Sequence, residues 1–504
     1  MLSPMQTLLL TSMFAAAILV CIFSLNSYVL LYFNRRKGSR KAGRNNVEWP
    51  MVTIQIPTYN EKNVIERTLG SCLDLDYPEE RLEIVVIDDS TDETTDIIKT
   101  YEERYSPRIK AIHRRTREGY KAGALNVAGK YSQGEYFLIL DADTMPYKDF
   151  LKKAIPLFLE DEKLGFIQGK IEYLNAESSW LTRSLALAND WYRTFSQSAL
   201  SKGGMFLSFL GHGGIFRRSA IEDAGGWRSD TITEDMDLSY RVQMRAWKAI
   251  YVEDARCVEE VPSSYFAAIQ QYNRHMKGPI QNLRKHASKI LKAKGITPLK
   301  KSEALIQMAY PLSHFLGLLC VAVTALMYLF LPGDFLRSFW LSPVGILLSV
   351  FMLVTFPYVS LLTSFYLPAL LIVLSVPLLY LIIVRKSDAA AAKHPGSLLG
   401  VTLIWNDNML TATKALIELL MRREAEWTRT PKLGREPKLP AKQLGKSEDL
   451  SNKTREAASR ALSATLMIIC LATIMQRGFL IHSFGLLLPA VGWIASAYLI
   501  FRSP

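Results

Sequence analysis

Cysteine is scarce in this chain. Five stand among 504 residues, Cys21, Cys72, Cys257, Cys320 and Cys470, and none is in C-x-x-C spacing. That excludes a disulfide framework and a cysteine zinc site. Charge is missing altogether from Thr7 to Phe33, and about 20 apolar residues suffice to cross a bilayer. No basic flank precedes that run and no small-residue cleavage site follows it, so a transmembrane helix is expected over 1–34 rather than a cleaved signal peptide. An acidic excess is missing too: the formal net charge is +13. The basic residues cluster at 35–44, 274–301 and 422–446, beside apolar spans, which fits anionic lipid and membrane topology and leaves no role for nucleic acid.

What is present falls into two kinds of sequence. Residues 50–260 alternate β-branched strand runs ("MVTIQIPTYN", "LEIVVIDDS", "IKAIHRR", "YFLILDADT", "LGFIQGKIEY") with helix-length segments ("EKNVIERTLGSCLDL", "TTDIIKTYEERY"). That alternation predicts a cytoplasmic α/β domain with a mostly parallel sheet. A basic linker, 35–49, precedes it, and an amphipathic interface segment, 261–300, follows. Long apolar runs resume at 304–331, 339–361, 364–384, 459–476 and 478–501. They imply an α-helical multi-span membrane region comprising a bundle over 301–425 and a hairpin over 459–504. Placing "REPKLPAKQLGK" inside by the positive-inside rule requires 397–420 to cross as well, for seven spans in all; a re-entrant Pro-broken run would leave six.

Acids mark the strand ends. Asp88 and Asp89 close "VVIDDS", and Asp141 and Asp143 flank Ala142 in "LILDADT". Ligands of open α/β sheets bind at the carboxyl ends of strands. Two alternate carboxylates there suit Mg²⁺ or Mn²⁺, hard cations that keep places for phosphate oxygens. "SDTITEDMDLSYR" brings Glu234, Asp235 and Asp237 to a helix start, where acids also serve simply as caps. Lys121 lies among glycines in "EGYKAGALN", placed to meet a phosphate charge. "FLGHGGIFRR", with Gly211, His212 and Gly213, reads as a turn able to floor a sugar site.

In this order, and followed by Gln271 and Arg274, the acids resemble the membrane-bound processive glycosyltransferases of family 2, the group of cellulose, hyaluronan and mannan synthases. The resemblance runs from about Pro50 to Arg284 and resumes at "EWTRTPKLG", Glu426 to Gly434. It implies a GT-A fold, a UDP- or GDP-sugar donor and inversion at the anomeric carbon. By it, Thr58, Glu61, Asp88 and Asp89 hold the nucleotide. Lys121, Gln271 and Arg274 meet the donor's diphosphate side, Asp143 with Asp141 binds the metal, and Asp235 is the general base. Gly211, His212, Gly213, Glu234 and His275 fall on the acceptor side, and Trp427, Thr428, Arg429, Thr430 and Lys432 belong to a cytoplasmic gating loop within 426–458. Two positions depart from the pattern: His275 of "QYNRH" stands where tryptophan stacks on the acceptor, and His212 where relatives carry a small polar residue. The resemblance implies elongation of a β-linked polysaccharide on the cytoplasmic face of a multi-pass membrane protein, at the plasma membrane if prokaryotic, with passage of the growing glycan through the helices. Single transfer to a polyprenyl phosphate or sphingolipid-like acceptor, and a scaffold or transporter that only senses nucleotide sugar, are the other readings.

Overall fold

The computed structural model describes residues 3–36, 48–342, 395–421, 448–477 and 480–503. One eight-stranded sheet organises residues 52–259: β1 (Val52–Thr58), β2 (Leu82–Asp88), β3 (Ile109–His113), β4 (Tyr136–Ile139), β5 (Met145–Pro146), β6 (Leu164–Tyr173), β7 (Gly214–Arg217) and β8 (Lys248–Glu259). Their order is β3-β2-β1-β4-β7-β6-β8-β5. The pairs β3–β2, β2–β1, β1–β4 and β6–β8 are parallel. Strand β7 runs antiparallel between β4 and β6, and β5 antiparallel on β8.

The apolar runs dictate this layout. All seven residues of β2, and six of the seven in β1, are buried, as expected for parallel strands covered by helices on both faces. Helix Ile65–Leu73 packs Ile65, Leu69 and Cys72 on one face of the sheet, and Ala124 and Ala128 of helix Tyr120–Tyr131 meet Val85 and Ile87 on the other. Glu83, buried on β2, accepts from Thr53 Oγ1 at 2.6 Å and Lys110 Nζ at 2.8 Å. The expected mostly parallel sheet is there, with an antiparallel seam at β7 added. "GIFR" is too short for its alternation to announce a strand.

Beyond the sheet, helix Tyr265–Lys292 runs as one piece of 28 residues. Among the described residues, two helices are long and apolar enough to cross a membrane, Pro298–Phe330 and Leu450–Gln476. They pack with the 31-residue helix Pro4–Asn34 around Met13, Ala16, Cys320, Met327, Ala464 and Ile474. Leu8, Ile18, Leu19, Ile22 and Leu25 of the first helix stay exposed. The segment 397–420 lies in helix Pro395–Leu420. The runs expected at 339–361 and 364–384 fall, apart from 339–342, outside the described residues, as does the expected gating loop from Trp427 to Lys432.

Candidate active site

The carboxyl ends of β1, β2 and β3 bring Thr58, Asp88 and His113 side by side in register. Asp88 is 1% exposed. Its Oδ1 accepts from Ser90 N at 2.9 Å, and its Oδ2 accepts from Thr95 Oγ1 at 2.6 Å with His113 Nδ1 at 2.8 Å. Burial pushes this carboxyl up, but the hydrogen bonds from Thr95, Ser90 and His113 together outweigh it and hold the group below the usual range. Asp89 receives a fork from Arg114, with Nε at 2.7 Å and Nη2 at 2.5 Å, a strong bidentate geometry. Adjacent acids are thus tolerated because they point to separate donor sets. The Arg114 partner stands directly after β3 and escaped the sequence reading. Thr58 is buried, and its carbonyl accepts from Asp89 N at 2.9 Å. The Glu61 carbonyl accepts from Val64 N and Ile65 N, each at 3.0 Å, to start the first turn of the helix beside the strand end. Arg117 lays its guanidinium 3.5 Å from the centroid of the Tyr59 ring.

The second cluster forms where β4 ends. Lys121, at the start of its helix, donates through Nζ to Asp141 Oδ1 and, at 3.0 Å, to the Gly211 carbonyl. Gly211 takes φ +91°, and a Cβ there would come within 3.0 Å of Asp235 Oδ2 and 3.7 Å of Lys121 Nζ. Only glycine lets this backbone pass between Asp235 and the lysine. Lys121, Asp141, Gly211 and Asp235, drawn from four distant stretches, therefore meet at one point. Burial lowers the Lys121 ammonium, but Asp141, Glu234 and Asp235 outweigh it and raise the group overall. Burial likewise opposes Asp141, which Lys121 and then His212 hold below the ordinary carboxylate range.

Glu234 and Asp235 open helix Glu234–Met244, capped at Thr233. Burial, then repulsion from Asp235, pushes Glu234 up to about 7. Burial also raises Asp235, against the pull of Lys121 and a hydrogen bond from Met236 N at 2.7 Å. Asp237, in the same acidic run, does different work. It is fully buried and bound by Arg241 at 2.8 Å, Lys285 at 2.6 Å and His286 at 2.7 Å. Burial would raise its carboxyl, yet His286, Lys285 and Arg241 drive it far down.

His212 is 4% exposed, with Nδ1 3.1 Å from Thr144 Oγ1 and Nε2 3.1 Å from Glu259 Oε2. Its ring therefore braces the floor from beneath and presents no edge to an acceptor. Gln168 holds the same loop: Nε2 donates to the His212 and Gly213 carbonyls at 3.1 and 3.2 Å, and Oε1 accepts from Leu210 N at 2.9 Å. Gln168, Thr144, Glu259 and Arg193, which ion-pairs with Glu259, escaped the sequence reading. A glutamine inside an apolar strand was the one signal on offer.

Gln271, Arg274 and His275 share helix Tyr265–Lys292. Burial lowers the Arg274 guanidinium, and Asp141 and Glu234 act on it in the opposite sense, which sets it beside the second cluster. His275 is exposed, with its ring 6.3 Å from Tyr272 in edge-to-face geometry. Desolvation by the surrounding protein, with Arg193 and Arg274 adding, shifts its imidazole down to about 3. Tyr192 comes from a π-helical turn, Trp191–Ser196, of the kind often found at functional sites. Its hydroxyl is pushed up to about 12 by burial and by the charge of Asp235.

Asp141 and Asp143 are the donor pair expected for a cation, and among the described residues no group of three or more His, Cys, Asp or Glu side chains is arranged to hold a metal. Two carboxylates beyond one strand fit Mg²⁺ or Mn²⁺, which commonly take one or two protein carboxylates and fill the rest of the shell with phosphate oxygens and water.

A twisted, mostly parallel sheet with these carboxylates at its carboxyl edge defines a GT-A-like domain. Residues 50–278 match the family described as glycosyltransferase like family 2. Glucomannan 4-beta-mannosyltransferase 7 of Arabidopsis thaliana is 36% identical over 260 residues, covering 50% of this chain and 47% of the relative. Glucomannan 4-beta-mannosyltransferase 1 of Cyamopsis tetragonoloba is 33% identical over 293 residues, covering 57% and 56%. The chain spans about half the length of these curated relatives. In fold it is similar to the mannosyltransferase PcManGT from Pyrobaculum calidifontis, solved with GDP-Man and Mn²⁺, with a TM-score of 0.52 at 22% identity over 83% of this chain and 98% of that one.

Proposed function

We propose that the protein is a membrane-integrated inverting hexosyltransferase that elongates a β-linked polysaccharide from a nucleotide-diphosphate sugar on the cytoplasmic face. The single observation that carries this is the meeting of Lys121, Asp141 and Asp235 around Gly211. A cation, a metal-suited acid and a carboxylate of raised pKa converge there, which is what donor and acceptor need. The relatives' names favour a mannosyl donor, and GDP-mannose is the first candidate.

Asp141 and Asp143 would hold Mg²⁺ or Mn²⁺, which supplies neutralisation of the charge on the departing diphosphate. Lys121 and Arg274 orient that diphosphate, and Thr58, Glu61, Asp88 and Asp89 hold base and ribose at the carboxyl ends of β1 and β2. Asp235 takes the proton from the acceptor hydroxyl as its oxygen bonds to the anomeric carbon and the bond to diphosphate breaks. Its raised pKa makes it a better base than an exposed aspartate, and Glu234, adjacent, completes the acceptor side with Gly211, Gly213 and His275. His212 supports that floor.

A polymer is favoured over a single transfer by aromatic rings gathered near Asp235. Tyr192 lies within electrostatic reach of Asp235, and Tyr310, on the apolar helix Pro298–Phe330, within reach of both Tyr192 and Tyr272. Several rings in one region suit a glycan, since the apolar faces of sugars stack on aromatic rings. The apolar helices would then span the membrane in six or seven passes, with the 426–458 segment cytoplasmic, lipid around the bundle and the glycan leaving through it. The test is incubation of membranes with labelled GDP- and UDP-sugars and Mg²⁺ or Mn²⁺, followed by size analysis. High-mass label supports elongation; one lipid-soluble product supports transfer to a lipid; no incorporation from any donor rejects the enzyme.

A further inference from the structure

Helix Tyr265–Lys292 grips the segment that carries the base. Gly278, Gln281, Asn282, Lys285 and His286 follow the i, i+3, i+4, i+7, i+8 spacing of one helical face, and each of them meets residues 230–237. A Cβ on Gly278 would stand 2.3 Å from Thr233 Cγ2, so the Thr233 side chain lies against the helix backbone where only glycine leaves room. Gln281 Oε1 accepts from Ile232 N at 2.8 Å. Asn282, 0% exposed, donates through Nδ2 to Thr233 Oγ1 at 2.9 Å. Lys285 reaches Asp230 at 2.5 Å and Asp237 at 2.6 Å, and His286 reaches Asp237 at 2.7 Å. Thr233 stands at the N-cap position of the helix whose first two residues are Glu234 and Asp235, its carbonyl accepting from Asp237 N at 3.1 Å.

Another side of the same helix is tied to the apolar region. Lys277 forms a half-buried ion pair with Glu418 at 2.6 Å, and Met276 packs on Ala412 and Ala415, all three partners lying on helix Pro395–Leu420. Lys414 of that helix pairs in turn with Glu456, and Asp407 with Arg460 at 2.7 Å. Ionisable groups gathered among apolar helices are costly and are retained where they hold elements in place.

We propose that helix Tyr265–Lys292 is a strut that sets the position of Glu234 and Asp235, with Asn282 as its positioning residue at Thr233 and the Lys277–Glu418 pair as its anchor on the apolar helices. This rests on the reading of Asp235 as the base, and its test reads structure as well as turnover. Thr233→Val keeps the shape but deletes the acceptor of the Asn282 hydrogen bond, whereas Thr233→Ser keeps it. Thr233→Val is expected to lower kcat roughly 3- to 10-fold, the worth of one buried hydrogen bond, with donor KM unchanged, and to speed amide exchange over 234–237 by a similar factor. Thr233→Ser restores both. Lys277→Met and Glu418→Gln, away from the carboxylates, should each lower kcat, and the double variant should be no worse than the poorer single one, as for two partners of one contact. Wild-type kcat and exchange in Thr233→Val, or additive losses in the Lys277–Glu418 cycle, overturn the strut. If the wild type transfers no sugar from any donor, the functional reading falls, and the exchange data on Thr233→Val, Thr233→Ser and Lys277→Met still decide the strut.

Discussion

Lys121→Met should move the acid limb of the pH–rate profile upward. The lysine ammonium stabilises the ionised forms of Asp141, Glu234 and Asp235, so its removal makes each of these carboxyls harder to deprotonate. The distances of 3.0 Å and 3.7 Å from the imagined Gly211 Cβ bound the separation of Asp235 Oδ2 and Lys121 Nζ below 7 Å. At that separation and an effective dielectric constant near 20, a unit charge pair is worth about 2.5 kcal/mol. Lys121 and Asp141 are partly accessible, and allowing for their solvent screening leaves about one pH unit or somewhat more. The sign follows from the base's role: Asp235 must be ionised to accept the proton, so turnover rises with pH through the apparent pKa of the Glu234–Asp235 pair. Burial and repulsion from Asp235 shift Glu234 up to about 7, which puts the expected wild-type limb in the accessible range, and the variant's should lie higher. The assay is kcat at saturating donor across pH, which separates this effect from weaker diphosphate binding, expected in KM. A limb that stays in place or moves to lower pH would refute the electrostatic coupling.

Asp235→Asn removes the proton acceptor and should cut kcat by a factor on the order of 10² to 10⁴ with the donor still bound; near-normal turnover in single-turnover assays would pass the role to Glu234. Asp143→Ala should abolish the metal dependence of donor binding in calorimetry, since the cation loses one of two protein carboxylates; donor affinity insensitive to both the variant and a chelator would remove the metal from this site. His275→Trp should preserve or raise product yield, because a larger ring offers a larger face to a sugar. Since desolvation by the surrounding protein holds the histidine neutral well below pH 5.5, neither wild type nor variant should show a His275-dependent step between about pH 5.5 and 8, the range in which an unperturbed histidine titrates. Loss of all transfer in both His275→Trp and His275→Ala, with donor still bound, would replace the polymer reading with a lipid acceptor.

The acids were legible because each sits in a local pattern, an apolar strand followed by carboxylates. Their partners were not. Arg114 finds Asp89 only when β3 lies beside β2, and Lys121 reaches Asp141 across the sheet edge. Asp237 looks like Asp235 in the chain, both acids in a first helical turn, yet one faces the site and the other is sealed by residues 285 and 286. His212 read as part of a sugar-facing loop because a glycine-rich turn does not reveal which way its one large side chain points; Thr144 and Glu259 turn it inward. For His275 the residue's own pKa near neutrality suggested a titrating group, whereas desolvation by the surrounding protein, with Arg193 and Arg274, shifts it down. The parallel half of the sheet was evident from continuous β-branched runs, whereas β7, four residues long, owes its place to β4 and β6 on either side.

The most direct test compares the purified wild type with Asp235→Asn, each given labelled GDP-mannose and Mn²⁺, following product size with time and then digesting the product with a β-specific endomannanase. The expected result is material of growing mass that the enzyme cleaves, made by the wild type and not by the variant. Equal yields from both proteins, or a single lipid-soluble species that never lengthens, would contradict elongation at this site.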